Sequence, residues 1–279
     1  MAGNRLQACP GCALQLLMLY ARVRWQWFRR ARYWQKGYYM KRNILLVRHG
    51  QTQWNVDHLL PGQLPGITLN DEGRRQAECT ARALAEVPFS LIVSSPLERA
   101  IETTQILKGE RAVTIEMDAG LADTNLGRWA GKKVDDLERH DAEWQAYAKN
   151  PTVAPEGVET SLEVQQRAVA TVERYRQRAD VGDWIVFVAH ADVIKLIVGY
   201  YMHVPPECVH YVHYVHIDNA SVTLLSFDDT RPPVLVNLNW TPQPGWLKPK
   251  TSDAPATLAP AAASDTRPAE ATAPDQQTA

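Results

Sequence analysis

The chain has no aspartate or glutamate before Asp57, although Arg5, Arg22, Arg24, Arg29, Arg30, Arg32, Lys36, Lys41 and Arg42 all precede it. The imbalance is local: 30 basic and 31 acidic residues among 279 leave a formal net charge of -1, which excludes a whole-molecule case for nucleic-acid binding. A membrane-length apolar run is also missing from this segment. The stretch Ala13 to Tyr20 is far shorter than the roughly 20 residues a spanning helix requires. Cysteine is sparse, with Cys9 and Cys12 close together and Cys79 and Cys208 alone. No second close pair exists to complete a four-ligand zinc site, and an apolar content of 45% fills a core without disulfides. No internal repeat is apparent.

What is present divides the chain into three. Residues 1–39 form a basic, aromatic extension, residues 40–241 carry the regular patterning of a catalytic domain, and residues 242–279 form a Pro/Ala/Thr-rich tail. The tail has few large apolar residues to offset chain entropy and is expected to be disordered. At helical spacing Leu16, Tyr20, Val23, Trp27, Ala31 and Trp34 share one face of the extension, with Arg22, Arg29, Arg32 and Lys36 mostly elsewhere. That pattern suits weak contact with a membrane surface, although Arg30 interrupts it. A second reading starts translation at Met40, directly before the first strand, and a third gives the extension a partner. Trp25, Trp27 and Trp34 are read as interface or packing residues rather than a base-stacking platform. A cytoplasmic location is expected, and oligomeric state is left open.

Three apolar, strand-like runs end in residues suited to phosphate. Ile44 to Val47 leads into Arg48-His49-Gly50, Leu91 to Val93 into Ser94-Ser95-Pro96 and then Arg99, and Ile185 to Ala189 into His190. Alternation of these strands with helices implies parallel pairing, and ligands of such sheets bind beyond the carboxyl ends of the strands. Asn70 caps a predicted helix to about Glu86, Ser95 with Pro96 and Glu98 reads as another helix start, and Thr160 or Ser161 caps a third from about Leu162 to Arg178. Ser221 to Phe227 and Val234 to Trp240, flanking Asp228 to Pro233, predict a late antiparallel hairpin.

His49 is the candidate nucleophile. An imidazole attacks phosphorus through an unprotonated ring nitrogen, and its ordinary pKa of about 6.5 leaves it mostly neutral at pH 7. Arg48 and Arg99 would disfavour a further positive charge beside them and offer forked donors to phosphoryl oxygens. His203, His210, His213 and His216 are read as strand and surface residues, and no metal or cofactor is expected.

The ordered set Arg48-His49-Gly50-Gln51-Thr52-Gln53-Trp54-Asn55, Ser94-Ser95-Pro96-Leu97-Glu98-Arg99-Ala100 and Ala189-His190-Ala191-Asp192 resembles the histidine phosphatase superfamily, in its phosphoglycerate mutase-like branch. The resemblance implies an α/β three-layer sandwich with a mostly parallel, doubly wound six-stranded sheet and one antiparallel edge strand. It implies that His49 is phosphorylated, that Arg48, Arg99 and His190 complete the phosphate pocket, and that Thr52 and Asn55 line it. It also calls for a carboxylic acid before a Gly-x-Trp-x-Gly-like segment, which falls on Asp123 where relatives usually carry Glu. Asp192 is the second choice. Ala191 stands where many relatives have Gly and is read as already helical, while Glu159 and Gln63 are further candidates for the pocket.

The implied activity is metal-independent hydrolysis of a small phosphorylated metabolite through a phosphohistidine. A phosphomutase is the alternative, although the interval Gly131 to Glu156 is short beside the insertion of phosphoglycerate mutases. A low-turnover phospho-ligand-binding protein is the third reading.

Overall fold

Strand β1 (Lys41–Arg48) has six consecutive buried residues, Arg42 to Val47. A strand hydrophobic on both faces needs cover on both, and the chain supplies it. The computed structural model describes residues 41–204 and 215–242. The basic extension with Cys9 and Cys12, the segment holding Cys208, His210 and His213, and the tail beyond residue 242 lie outside the described residues, and so do the expectations made for them.

The remaining strands are β2 (Leu91–Ser94), β3 (Thr114–Met117), β4 (Trp184–Ala189), β5 (Val222–Asp228) and β6 (Arg231–Trp240), in the sheet order β3-β2-β4-β1-β5-β6. The helices are α1 (Gln53–Val56), α2 (Asp71–Ala83), α3 (Glu98–Lys108), α4 (Val134–His140), α5 (Ala142–Lys149), α6 (Ser161–Arg176) and α7 (Ala191–Tyr201). The result is the expected α/β sandwich. Ile44 and Leu46 pack with Val164, Ala168 and Val172 of α6 and Ile194 and Ile197 of α7 on one face. Leu45 and Val47 pack with Leu84, just beyond α2, and with Ala100 and Leu107 of α3 on the other. Each such buried Val, Leu or Ile side chain contributes about 1.5 to 3 kcal/mol relative to exposure.

β1, β2, β3 and β4 are mutually parallel where they pair, and β5 runs against both β1 and β6. The reversed strand therefore sits one place in from the edge, because β6 folds back on it through a two-residue turn rather than the longer Asp228 to Pro233 link. Asp228 tightens that turn by accepting from the Thr230 N–H at 2.9 Å. Pro232 and Pro233 are tolerated within β6 because one can face the free edge and the pair lies opposite the register shift between Ser226 and Asp228.

Local signals set the helix starts that matter here. The Asn70 side chain accepts from the Gly73 N–H at 2.8 Å, and Thr160 and Glu163 cap α6 reciprocally. Ser95 departs from expectation: α3 begins at Glu98 after an uncapped Leu97, because the Ser95 hydroxyl is held by His190 at 2.8 Å. Gly50 and Gly73 allow the loop after β1 to lie against the start of α2. A Cβ on Gly50 would come within 2.4 Å of the Gly73 oxygen, and one on Gly73 within 2.0 Å of the Gln51 oxygen.

Candidate active site

Parallel register brings the three strand ends together. Arg48 pairs with Ala189 and Ser94 with Val188, so the residues that follow, His49, His190 and Ser95, leave the sheet side by side. The His49 N–H donates to the Ala189 oxygen at 3.0 Å and the Ser95 N–H to the Val188 oxygen at 2.9 Å. The two imidazoles lie 5.1 Å apart between centroids, and both are buried.

Hydrogen bonding settles the His49 tautomer. Its Nδ1 lies 2.7 Å from the Gly50 oxygen, which can only accept, so Nδ1 carries the proton and Nε2 keeps the lone pair. Burial and then Arg99 and Arg48 push the His49 pKa well below the ordinary histidine value. His190 is pushed down likewise, by burial first and then by Arg99, His49 and Arg48. Its Nε2 lies 2.8 Å from Ser95 Oγ, which in turn accepts from the Leu97 N–H at 3.4 Å. The His190 Nδ1 lies 3.5 Å from Asp123 Oδ2, so a proton on Nδ1 would face that carboxylate and leave Nε2 to accept from the Ser95 hydroxyl.

Arg99 is fully buried and is not part of the cavity lining, with Nη2 on Asp123 Oδ2 at 2.9 Å and on the Gly62 oxygen at 2.8 Å. Arg48 Nη1 donates to the Ile217 oxygen at 2.6 Å. Arg48 Nε, Arg99 Nε, Arg99 Nη1 and His190 Nδ1 are buried donors with no hydrogen-bond partner. Burial pushes the Asp123 carboxyl above the ordinary aspartate range, against the opposing pull of Arg99.

Arg48, His49, Asn55, Asp123, His190 and Ala191 line one cavity of about 210 Å³. Ala191 opens α7 in helical conformation, so the missing glycine costs nothing there. Thr52 is fully buried and does not line the cavity; its N–H and hydroxyl are engaged with Asn55 in a reciprocal cap on α1. With its oxygen taken by Thr52 and Asn219, Asn55 has its Nδ2 left to offer. Gln63, expected as a substrate contact, supports the Asp123 segment in this structure. It is exposed, stands outside the lining, and spends its amide on the Asp123 carbonyl at 2.7 Å.

Glu159 is likewise not part of the lining. It pairs with Arg167 at 2.8 Å and accepts from the Asn125 N–H at 2.7 Å. Asp192 lines the cavity rim and pairs with Lys195 at 3.0 Å. His216 is exposed and meets Asp218 at 3.1 Å, and no group of potential metal ligands occurs among the described residues. No helix among them is long and apolar enough to cross a membrane.

Several contributors were not visible in sequence. Arg167 of α6 donates to the carbonyls of Gly120, Ala122 and Asp123 at 2.9, 2.7 and 2.9 Å, clamping the segment that carries the carboxyl. Asn219 Nδ2 reaches the His49 oxygen at 3.2 Å. Trp144, Tyr147 and Ser161 complete the far wall. Only the i,i+3 spacing of Trp144 and Tyr147, which suits one face of a helix, could have hinted at that wall.

The model of the histidine phosphatase superfamily (branch 1) matches residues 44–241. The chain is 32% identical over 182 residues to a glucosyl-3-phosphoglycerate phosphatase of Mycolicibacterium vanbaalenii, across 60% of this chain and 76% of that one. It is 30% identical over 165 residues to a probable phosphoglycerate mutase of Escherichia coli, across 58% and 75%. A solved mycobacterial glucosyl-3-phosphoglycerate phosphatase, in complex with VO3, superimposes with a TM-score of 0.64 at 28% identity, over 72% of this chain and 100% of that one. Strand order, paired buried imidazoles and the matched span agree: the chain belongs to the histidine phosphatase superfamily, branch 1.

Proposed function

We propose that this chain hydrolyses the monoester of a small phosphorylated metabolite through a phosphohistidine on His49. His49 Nε2 attacks phosphorus and the P–O bond to the alcohol breaks, while Asp123 gives its proton to the departing oxygen. Water then attacks phospho-His49, its proton passing to the Asp123 carboxylate, and inorganic phosphate leaves. Arg48, Arg99 and His190 stabilise charge on the non-bridging oxygens in both steps.

The observation that carries this reading is a neutral His49 with its proton on Nδ1, sharing the cavity with Arg48, whose buried Nε lacks a partner, and with Arg99, whose Nε and Nη1 also lack partners, close to it. Each such donor costs about 1 to 3 kcal/mol when left unmatched, and a phosphoryl group supplies acceptor oxygens for them. Phosphatase relatives and the VO3 complex of a structural neighbour support the same class of ligand.

The test is a rapid quench with ³²P-labelled substrate and a chelator present. An acid-labile, base-stable label should appear on the wild type and be absent from His49→Ala, with phosphate release unaffected by chelation. Labelling of His49→Ala, or loss of turnover on chelation, would overturn the mechanism. The mutase alternative shares the first step and differs in what attacks phospho-His49. Incubation with 3-phosphoglycerate plus bisphosphoglycerate separates the two by whether isomer or inorganic phosphate accumulates.

A further inference from the structure

Beyond its phosphate end the cavity changes character. Leu60, Leu126, Trp144, Tyr147, Pro151 and Leu196 form most of its remaining wall. Among the described lining residues Arg48 is the one arginine or lysine, and the charged group at the rim is the acid Asp192. A carboxylate on the alcohol side of a substrate would lose its hydration there and gain no cation in return.

The wall is also held in shape. Trp129, fully buried, packs edge-on against Trp144 at 5.1 Å and tilted against Tyr147 at 5.3 Å. Asp141 accepts from both the Trp144 backbone N–H at 2.9 Å and Trp129 Nε1 at 3.2 Å, and the Tyr147 hydroxyl donates to the Glu159 oxygen at 3.1 Å. Two aromatic faces fixed in this way suit a flat or cyclic group at little ordering cost. Two polar atoms of wall residues lack partners, Trp144 Nε1 and the hydroxyl of Ser161, a residue 5% exposed. One donates only and the other donates or accepts, so a neutral hydroxyl or ring oxygen matches both in chemistry.

We infer that the substrate is the phosphate monoester of an uncharged, ring-bearing alcohol, and that carboxylated phosphates of the phosphoglycerate kind are selected against. This rests on the hydrolase reading and adds the substrate class to it. The alcohol side is recognised by the aromatic wall and by Ser161, with no counter-ion for an acid among the described lining residues.

A matched pair of probes tests it in the full-length protein. 4-Methylphenyl phosphate and 4-(carboxymethyl)phenyl phosphate have leaving groups of similar acidity and differ by one carboxylate. The carboxylated twin should show kcat/KM lower by about tenfold or more, the scale on which unmatched groups are rejected by apolar pockets. Ala148→Arg places a cation on the half-buried rim of α5, where arginine is a good helix former, and should close most of that gap by raising turnover of the carboxylated twin. Trp144→Ala should lower kcat/KM for 4-methylphenyl phosphate by about tenfold while changing ethyl phosphate by less than about threefold. Equal turnover of the twins by the wild type, or a gap that Ala148→Arg leaves unchanged, would overturn the inference. A protein that releases phosphate from neither twin nor ethyl phosphate would instead bring down the hydrolase reading itself.

Discussion

The two ends of the cavity are made from different materials. The phosphate end is assembled from residues at the carboxyl ends of three parallel strands, and its groups are polar, buried and fixed by backbone register. The alcohol end comes from the short helix α5 and the loop after it, the start of α6, Leu196 of α7 and the loops that hold Leu60 and Leu126, and its groups are mostly apolar. The first region has its geometry imposed by the sheet, so the same chemistry survives changes in the second. Much of the second, including Leu60, Leu126, Trp144 and Tyr147, belongs to a satellite core around Trp129, while Leu196 is part of a main cluster. Substitution there should alter which alcohol fits and leave the phosphoryl chemistry in place.

Breaking the phosphate end should have the largest effect. Arg99→Ala removes a fully buried guanidinium that pairs with Asp123 and lies near both imidazoles, and an arginine acting on a transferring phosphoryl group contributes roughly 10³-fold or more in rate. Steady-state kinetics should show a loss of that order for aryl and alkyl esters alike. A loss confined to one class of ester would move Arg99 out of the phosphate end.

Asp123→Asn should come next, at about 10²-fold on alkyl esters, toward the lower end of what general acid catalysis contributes. Aryl esters depart with less help and should suffer less. The pH dependence has a definite sign. Attack needs neutral His49, whose lowered pKa extends activity toward acid, whereas donation needs protonated Asp123, whose raised pKa carries activity above the ordinary aspartate range before it fails on the alkaline side. The alkaline limb of kcat/KM should therefore flatten in Asp123→Asn while the acid limb stays. An alkaline limb retained unchanged would assign the proton donor elsewhere, with Asp192 the next candidate on the rim.

The same contrast separates what sequence could and could not show. His49, Arg48 and His190 were legible because a strand run followed by a polar residue states both the element and the end at which the residue emerges. Ser95 was misread as a helix cap because its true partner, His190, is distant in sequence and meets it only after β2 and β4 pair. The reversed strand was expected at the edge because nothing in the hairpin sequence says which of its strands pairs with β1. Trp144 and Tyr147 lie in the polar-rich run Ala142-Glu143-Trp144-Gln145-Ala146-Tyr147, whose spacing gives an amphipathic helix but not the cavity it walls. Glu159 suited a pocket carboxylate equally well until Arg167 claimed it.

Arg167 joins the two ends. It clamps three carbonyls around Asp123 and pairs with Glu159, whose own carbonyl holds the Tyr147 hydroxyl. It touches no cavity surface, so its action is through position. Arg167→Gln should lower kcat on alkyl esters by about tenfold, the scale of one or two charge-assisted bonds, with KM nearly unchanged. Arg167→Lys should recover part of this, and aryl esters should be less affected. Equal losses on both esters, accompanied by a lower melting temperature, would mark a purely structural role.

The smallest effect is expected at Gln63, and it discriminates most finely between contact and support. Gln63 Nε2 and Arg167 Nη2 donate to the same oxygen, the Asp123 carbonyl, at 2.7 and 2.9 Å. One donor is exposed and neutral, the other half-buried and charged, so removing the first leaves the stronger in place. A net hydrogen bond of about 0.5 to 1.5 kcal/mol, partly covered by Arg167, corresponds to roughly a threefold fall in kcat on alkyl esters for Gln63→Ala. A residue touching substrate would instead raise KM across esters sharing the same alcohol, and the double variant with Arg167→Gln would then be additive. Shared support of one carbonyl predicts the opposite: the second removal should cost more in the absence of the first, since only then does the Asp123 segment lose both side-chain donors.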